Sequence, residues 1–447
     1  MDKLENGVRL IGSVTNELPT VTMRLNVEAG HRYESISNAG ISELLVAMLN
    51  QSTEKYSAEQ LSDKLNLLGS TVTITGSVLP TGNNDGRDRS NAQEIVVTIS
   101  TLTKNLDATL DVVSEILFHP KFDKYEFERV KKQQLDKINN LASQPKPVIN
   151  SVFFKLLYGK NHIMSIPIVG TKEIVERITL DDVKEFYKKR FSQKYASLVI
   201  VGNVKKETII PKLAAFKLWN NSTLMHSGEP AMPINDKTRI YFVDKPNAPQ
   251  SEIRVGYMAM PFDATGRYYK SCFMNEPLGG SFVSRINMNL REQHGYTYFS
   301  RSYFSGDKFV GPFTAFAGVR TDVTDSSVVQ LMNEIKNYAD NGITEKELEQ
   351  TKTAFAQRET QLYEIPLQKI NVLKRILDYG LEKNFTLKQN EILKSLTVEE
   401  INELAKKYLP YDKMYIVVVG DKAKVFEKLK NIGYEVVELD VKGDLVK

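Results

Sequence analysis

Cysteine is almost missing from this chain: 447 residues contain one, Cys272. A disulfide framework and any cysteine-built zinc knuckle are thereby excluded. The lone thiol reads as a small buried hydrophobe, and it does not tell cytosol from periplasm. Long apolar runs are missing too. No stretch of 18 apolar residues occurs, so no transmembrane helix is expected. No basic-then-apolar leader precedes the first recognisable strand, 8-VRLIGSV-14. That is expected of a cytoplasmic protein, or of a periplasmic one after removal of its signal. Histidine is scarce and scattered: His31, His119, His162, His226 and His294 include no two within five positions, which excludes a di-histidine helical zinc motif. There is no G-x-S-x-G elbow, no P-loop and no G-x-G-x-x-G. Excess charge of one sign is absent as well. Lys and Arg total 59 against 55 Asp and Glu, a net +4, without a block of five like charges. Nothing in that balance calls for nucleic acid or an anionic membrane as a partner.

What is present is a pattern written twice. Residues 178-ITLDDVKEFYKKRFSQKYASLVIVGNVK-205 and 396-LTVEEINELAKKYLPYDKMYIVVVGDKA-423 align without a gap. Each has a Thr at a helix N-cap position (Thr179, Thr397), acids in the first turn, an amphipathic helix, a short turn, and an apolar strand stopped by glycine. A second pair matches 122-FDKYEFERVKKQQL-135 to 343-ITEKELEQTKTAFA-356, and a third matches 20-TVTMRLNVEAG-30 to 250-QSEIRVGYMAM-260. Two homologous halves of roughly 215 residues follow, a period too long for a solenoid and suited to duplicated domains. Val21, Met23, Leu25 and Val27 alternate as a strand, and 95-IVVTIST-101 is almost wholly β-branched. Segregated strands and long helices predict an α+β fold of two homologous domains, each a mainly antiparallel sheet packed with helices. The expected division is 1–216, a polar linker over 217–236 containing Pro230 and Pro233, and 237–447. The segment 81-TGNNDGRDRSNA-92 reads as an exposed loop between two strands.

Two stretches hold the candidate chemistry. In 40-GISELLVAMLNQST-53, Ile41, Leu44, Leu45, Met48 and Leu49 form a complete apolar stripe for one helix face. Glu43, Val46, Ala47 and Asn50 form a second stripe beside it, an odd mixture for a solvent face. In 275-NEPLGGSFVSRINMNLREQHGYTYFSRSYF-304, Phe282, Ile286 and Leu290 fall at helical spacing. That spacing predicts a helix opened by Gly279-Gly280-Ser281 and ended by Gly295, followed by a strand over 296–304. Arg291 then stands in the last turn and Tyr298 at the start of the strand. Brought together, a guanidinium and a phenol can both donate to one peptide oxygen, or simply brace the corner.

These stretches, together with 6-NGVRL-10, 52-STEKYSAEQLSDKLNLLGS-70 and 244-DKPNAPQSEIRVGY-257, resemble the insulinase/pitrilysin family of zinc peptidases. The likeness is to its bacterial and mitochondrial-processing-peptidase branch, and it covers nearly the whole chain. Active members carry His-x-x-Glu-His on the helix after the glycine. Here those positions read 43-ELLVA-47, with Glu43 at the first ligand, Val46 at the general base and Ala47 at the second ligand. The third ligand, a distant glutamate, aligns with Lys137. The resemblance therefore implies a degenerate zinc site that binds no metal in this chain, with zinc held by a partner subunit instead. Active members also present an Arg and a Tyr, seven positions apart, to the substrate carbonyl, which implies that role for Arg291 and Tyr298. Gly279-Gly280 resembles the start of the glycine-rich, substrate-binding segment of the mitochondrial subunit, without its long extension. The implied protein is inert alone. It is the non-zinc, substrate-binding subunit of a heterodimeric metallopeptidase, closing with a homologous His-x-x-Glu-His partner over a peptide or extended protein substrate. The alternative is a non-catalytic scaffold or peptide-binding protein of the same fold, a homodimer included.

Overall fold

The computed structural model describes residues 2–76, 92–219, 230–361 and 365–446. Most of the expected polar loop over 81–92 and the middle of the linker over 217–236 lie outside the described residues.

The fold is α+β, with two six-stranded sheets. The first contains β1 (Asp2–Lys3), β2 (Arg9–Val14), β3 (Thr20–Val27), β4 (Thr71–Thr75), β5 (Ile95–Leu102) and β6 (Ala196–Gly202), in the order β1-β2-β6-β3-β5-β4. The second contains β7 (Arg239–Asp244), β8 (Gln250–Met260), β9 (Thr297–Phe304), β10 (Gly311–Arg320), β11 (Tyr415–Gly420) and β12 (Val436–Leu439), in the order β12-β7-β11-β8-β10-β9. Leaving aside the outer strands β1 and β12, the two orders are the same. The repeat in sequence is thus a repeat in topology. Both sheets are mixed: β2 pairs with β6 in parallel, as β7 does with β11 and β12, and the other pairs are antiparallel.

Alternation along β3 buries Val21, Met23, Leu25 and Val27 completely on one face, against helices that include Ile41–Leu49, Leu106–Phe118, Lys124–Ser143 and Leu180–Arg190. The second half repeats this with helices such as Arg267–Asn275, Thr324–Asn341 and Val398–Tyr408. Thr179 and Thr397 cap their helices as expected, each accepting the backbone N–H three residues on.

The strands β6 and β11 are buried throughout, and each therefore has a second buried face. A helix from the opposite half covers it. Pro145–Tyr158 packs Val152 and Phe153 with Val417 and Val419 of β11. Reciprocally, Pro366–Tyr379 packs Ile370 and Ile376 with Ile11, Val199 and Val201 of β2 and β6. Each exchanged helix opens on proline, whose fixed φ and missing N–H suit a first turn. One borrowed helix therefore lies on the second face of each sheet.

Candidate functional site

The helix Ile41–Leu49 is set in place by its N-terminus. Gly40 has φ +96°, and a Cβ there would lie 2.7 Å from the carbonyl oxygen of Val169. Only glycine fits, and glycine brings no capping side chain. Glu34 takes over: its carboxylate accepts from the N–H of Gly40 at 2.8 Å and of Ser42 at 2.7 Å, placing negative charge at the positive end of the helix. His31, fully buried, approaches the same carboxylate through Nδ1 at 2.7 Å, and its Nε2 lies 3.1 and 3.0 Å from the carbonyl oxygens of Ile163 and Ile166. Both ring nitrogens face acceptors, which fixes the ring between the carboxylate and the two carbonyls. The apolar stripe Ile41, Leu44, Leu45, Met48 and Leu49 is buried, as its spacing predicts.

The second stripe lies against the end of β4. A Cβ on Gly76, the residue after that strand, would stand 2.2 Å from Glu43 Oε1 and 3.4 Å from Val46 Cγ2, so Glu43 and Val46 border one small space. Ala47 is half-buried, and Asn50 donates its amide to the carbonyl of Val46 at 2.8 Å. Lys137, on the helix Lys124–Ser143, is exposed. One turn earlier, buried Gln134 donates to the carbonyls of Gly40 and Val169 at 3.0 and 2.9 Å. Among these positions only Glu43 offers a metal-type donor. Among the described residues no three of His, Cys, Asp and Glu are grouped so that they could hold an ion. A catalytic zinc needs three protein ligands, and the residues present do not fit one.

The Arg291 corner differs locally from the sequence expectation. Gly279-Gly280 does not open a helix; the pair ends the wide π-type turn Glu276–Gly280 that continues the helix Arg267–Asn275. Helical structure restarts at Arg285–Asn287 with Ser284 at its N-cap, and passes into a second π-type turn, Met288–Gln293. Phe282 therefore stands outside the helix, 52% exposed, while Ile286 and Leu290 are buried. The physical reason is contact with β9. A Cβ at Gly279 would come within 2.4 Å of the Ser302 backbone nitrogen, and Asn275 donates to the Ser302 carbonyl at 2.7 Å. The chain must hug the strand here, which a regular helix running through Phe282 would not do. Gly295, φ +62°, ends the segment as expected, its N–H donating to the Arg291 carbonyl at 3.0 Å. The Arg291 guanidinium lies 4.4 Å from the Phe282 ring centre and 3.2 Å from Glu292. Tyr298 is 87% exposed, and its hydroxyl has no hydrogen-bond partner among the described residues.

A cavity of about 620 Å³ opens between the halves. Arg24 of β3 and Glu94 line it from the first half; Asn371, Lys374, Arg375 and Asp378 of the exchanged helix line it from the second. Burial works to lower the Lys374 ammonium, and Glu94 and Asp378 outweigh it, leaving it raised. Cys272 also borders the cavity, and burial pushes its thiol up to about 11, which keeps it protonated and unreactive. Sequence reading missed this site. Its one early signal was a charged residue, Arg24, in the middle of an otherwise buried strand.

Two family models match the chain. The model described as Insulinase (Peptidase family M16) covers residues 11–165, and the one described as Peptidase M16 inactive domain covers 177–355. The relatives include an uncharacterized zinc protease, YmxG, of Bacillus subtilis, 23% identical over 78% of this chain and 80% of its own. A non-peptidase homolog, also called YmxG, of Helicobacter pylori is 22% identical over 91% of this chain and 90% of its own. Among solved structures, a peptidase M16 inactive domain from Pseudomonas fluorescens superposes with a TM-score of 0.84 at 22% identity, covering 94% of this chain and 97% of that one. With the repeated sheets, the capped helix and the two matching halves in place, the chain belongs to the insulinase family, peptidase family M16.

Proposed function

We propose that this chain is the non-zinc, substrate-binding subunit of a heterodimeric zinc peptidase. The partner would be a homologous chain carrying His-x-x-Glu-His. Arg291 and Tyr298 would donate to the carbonyl of the peptide being cut, with Gly280, half-buried at the end of its turn, beside the passing substrate. One observation carries the reading: the loss is asymmetric. Of the three positions that align with zinc ligands, Glu43, Ala47 and Lys137, only Glu43 offers a donor, whereas the arginine and tyrosine are both kept, seven positions apart. Tyr298 is 87% exposed, so bracing the corner does not explain it.

The test is to purify the chain with a homologue of similar length bearing His-x-x-Glu-His and to follow peptide cleavage. Alone, the chain is expected to cleave nothing. In the complex, Arg291→Ala is expected to lower kcat by about a hundredfold or more, the effect of losing one oxyanion donor, with assembly unchanged on gel filtration. Cleavage at the wild-type rate would remove Arg291 from the site. The second reading, a scaffold or peptide-binding protein outside proteolysis, draws on the Helicobacter pylori relative described as a non-peptidase homolog. It predicts no cleavage with any such partner.

A further inference from the structure

We propose that the cavity between the halves receives an acidic side chain of an extended peptide, its carboxylate held by Arg24 from one half and Arg375 from the other. The inference deepens the peptide-binding reading by naming the side chain that the chain selects.

The cations around the cavity divide into two sets. Lys374 is engaged with Glu94, at 2.8 Å, and with Asp378; Lys308 is paired with Glu28, and Arg358 with Glu276. Arg24 and Arg375 have no carboxylate partner among the described residues. Arg24 donates from Nη1 to a neutral acceptor, Asn371 Oδ1, at 2.8 Å, and its Nε is enclosed without a partner. Burial lowers its pKa more than the nearby Glu94 and Asp378 restore it, the mark of an under-neutralised guanidinium. Arg375 lies 5.7 Å from the ring centre of Phe262 and is otherwise open. Two other acids line the cavity: Asp263 accepts through Oδ1 from the N–H groups of Thr265 and Gly266, and Asp307 accepts through Oδ1 from that of Phe309.

One acceptor also waits. Asp378, its side chain 9% exposed, uses Oδ2 for Lys374 and leaves Oδ1 buried and unpartnered. A free carboxylate would satisfy the arginines and be repelled by that oxygen. A peptide bearing Asp or Glu offers an acceptor to the arginines and a backbone N–H to Asp378 together. Phe262, Tyr269, Phe355 and Tyr379 supply apolar wall for its neighbours, and the volume falls in the ordinary range of ligand sites. Because the two arginines come from different halves, the site is complete only when the halves are together.

The experiment uses the full chain alone, without a peptidase partner, so its failure is separable from failure of the cleavage reading. Short acetylated and amidated peptides with a central Phe-Glu-Phe, Phe-Gln-Phe or Phe-Lys-Phe are titrated by calorimetry at low salt. The Glu peptide is expected to bind about tenfold or more tightly than the Gln peptide, with Lys weakest. Arg375→Gln, at an exposed position, is expected to erase the preference, as is Arg24→Gln where that buried change still folds. Equal affinity for Glu and Gln peptides, a preference that survives Arg375→Gln, or no binding by any of the three overturns the proposal. Displacement by glutarate at the same concentration as the peptide overturns the peptide assignment.

Discussion

At the scale of single residues, the decisive contrast is between positions that hold charge in place and positions that have lost it. The buried Glu34 carboxylate is held by three groups that converge on it: the Gly40 and Ser42 amides and His31. Glu43, nine residues on, has neither histidine nor further acid beside it on its stripe. Zinc affinity depends on the count and geometry of donors, so the loss is reversible in principle by three substitutions. Glu43→His with Ala47→His places two imidazoles at i and i+4 on one helix face, and Lys137→Glu adds the third ligand. The wild-type chain is expected to retain no stoichiometric zinc after dialysis. The double variant should bind it weakly, and the triple variant should hold about one zinc per chain, read by elemental analysis. If Lys137→Glu adds nothing to the double variant, the third position lies elsewhere on the helix Lys124–Ser143.

Among the elements, the segment between the helix Arg267–Asn275 and β9 shows how a neighbouring strand overrides local pattern. Two π-type turns stand where spacing alone gives one regular helix. Gly279 makes this possible by resting on Ser302. A methyl group there would meet both the Ser302 backbone nitrogen, at 2.4 Å, and its hydroxyl, at 2.1 Å, and backbone cannot step aside as a side chain does. Gly279→Ala is therefore expected to cost about 1–3 kcal/mol, the range for overpacking a filled site, as a lowered thermal midpoint. Ser302→Gly in the same chain removes the hydroxyl clash and leaves the backbone one, so it should recover only part. Gly280→Ala meets the movable Glu276 carboxylate instead and should cost less. The same comparison explains what the sequence made legible. Elements whose burial follows their own period were readable: β3, the helix Ile41–Leu49, and the paired helix–strand units ending in β6 and β11. So was the π segment's end, because Gly295 signals it locally. The position of Phe282 was not, since it is settled by β9. The inter-domain cavity was not either, since Arg24, Glu94 and Arg375 meet only through the exchange of helices between halves.

For the molecule as a whole, that exchange sets what can fold alone. The duplicated sequence suggests two self-sufficient domains, yet each sheet has a second apolar face that its own half leaves bare. Val199 and Val201 of β6 are buried by Ile370 and Ile376 from the other half, and Val417 and Val419 of β11 by Val152 and Phe153. Burying each such side chain is worth about 1.5–3 kcal/mol, so losing a whole helix face removes stabilisation comparable to the margin of a typical domain. Polar contacts reinforce the exchange without replacing it. Arg9 donates to the Leu377 carbonyl at 2.8 Å, Lys374 pairs with Glu94, and the exposed pairs Lys155–Asp444 and Lys442–Glu173, at 2.7 and 2.9 Å, add the modest amounts of surface ion pairs. The expectation is therefore specific. Residues 2–219 and 230–446 produced as separate chains should each be poorly soluble, with the amides of Val199, Val201, Val417 and Val419 exchanging rapidly in whatever remains in solution. Co-expressed, the two fragments should assemble one to one and regain protection at those four amides. A first fragment that is monomeric, cooperatively folded and protected at Val199 and Val201 without its counterpart would mean that the borrowed helix is an ornament on the sheet. A second fragment stable alone would mean the same for β11.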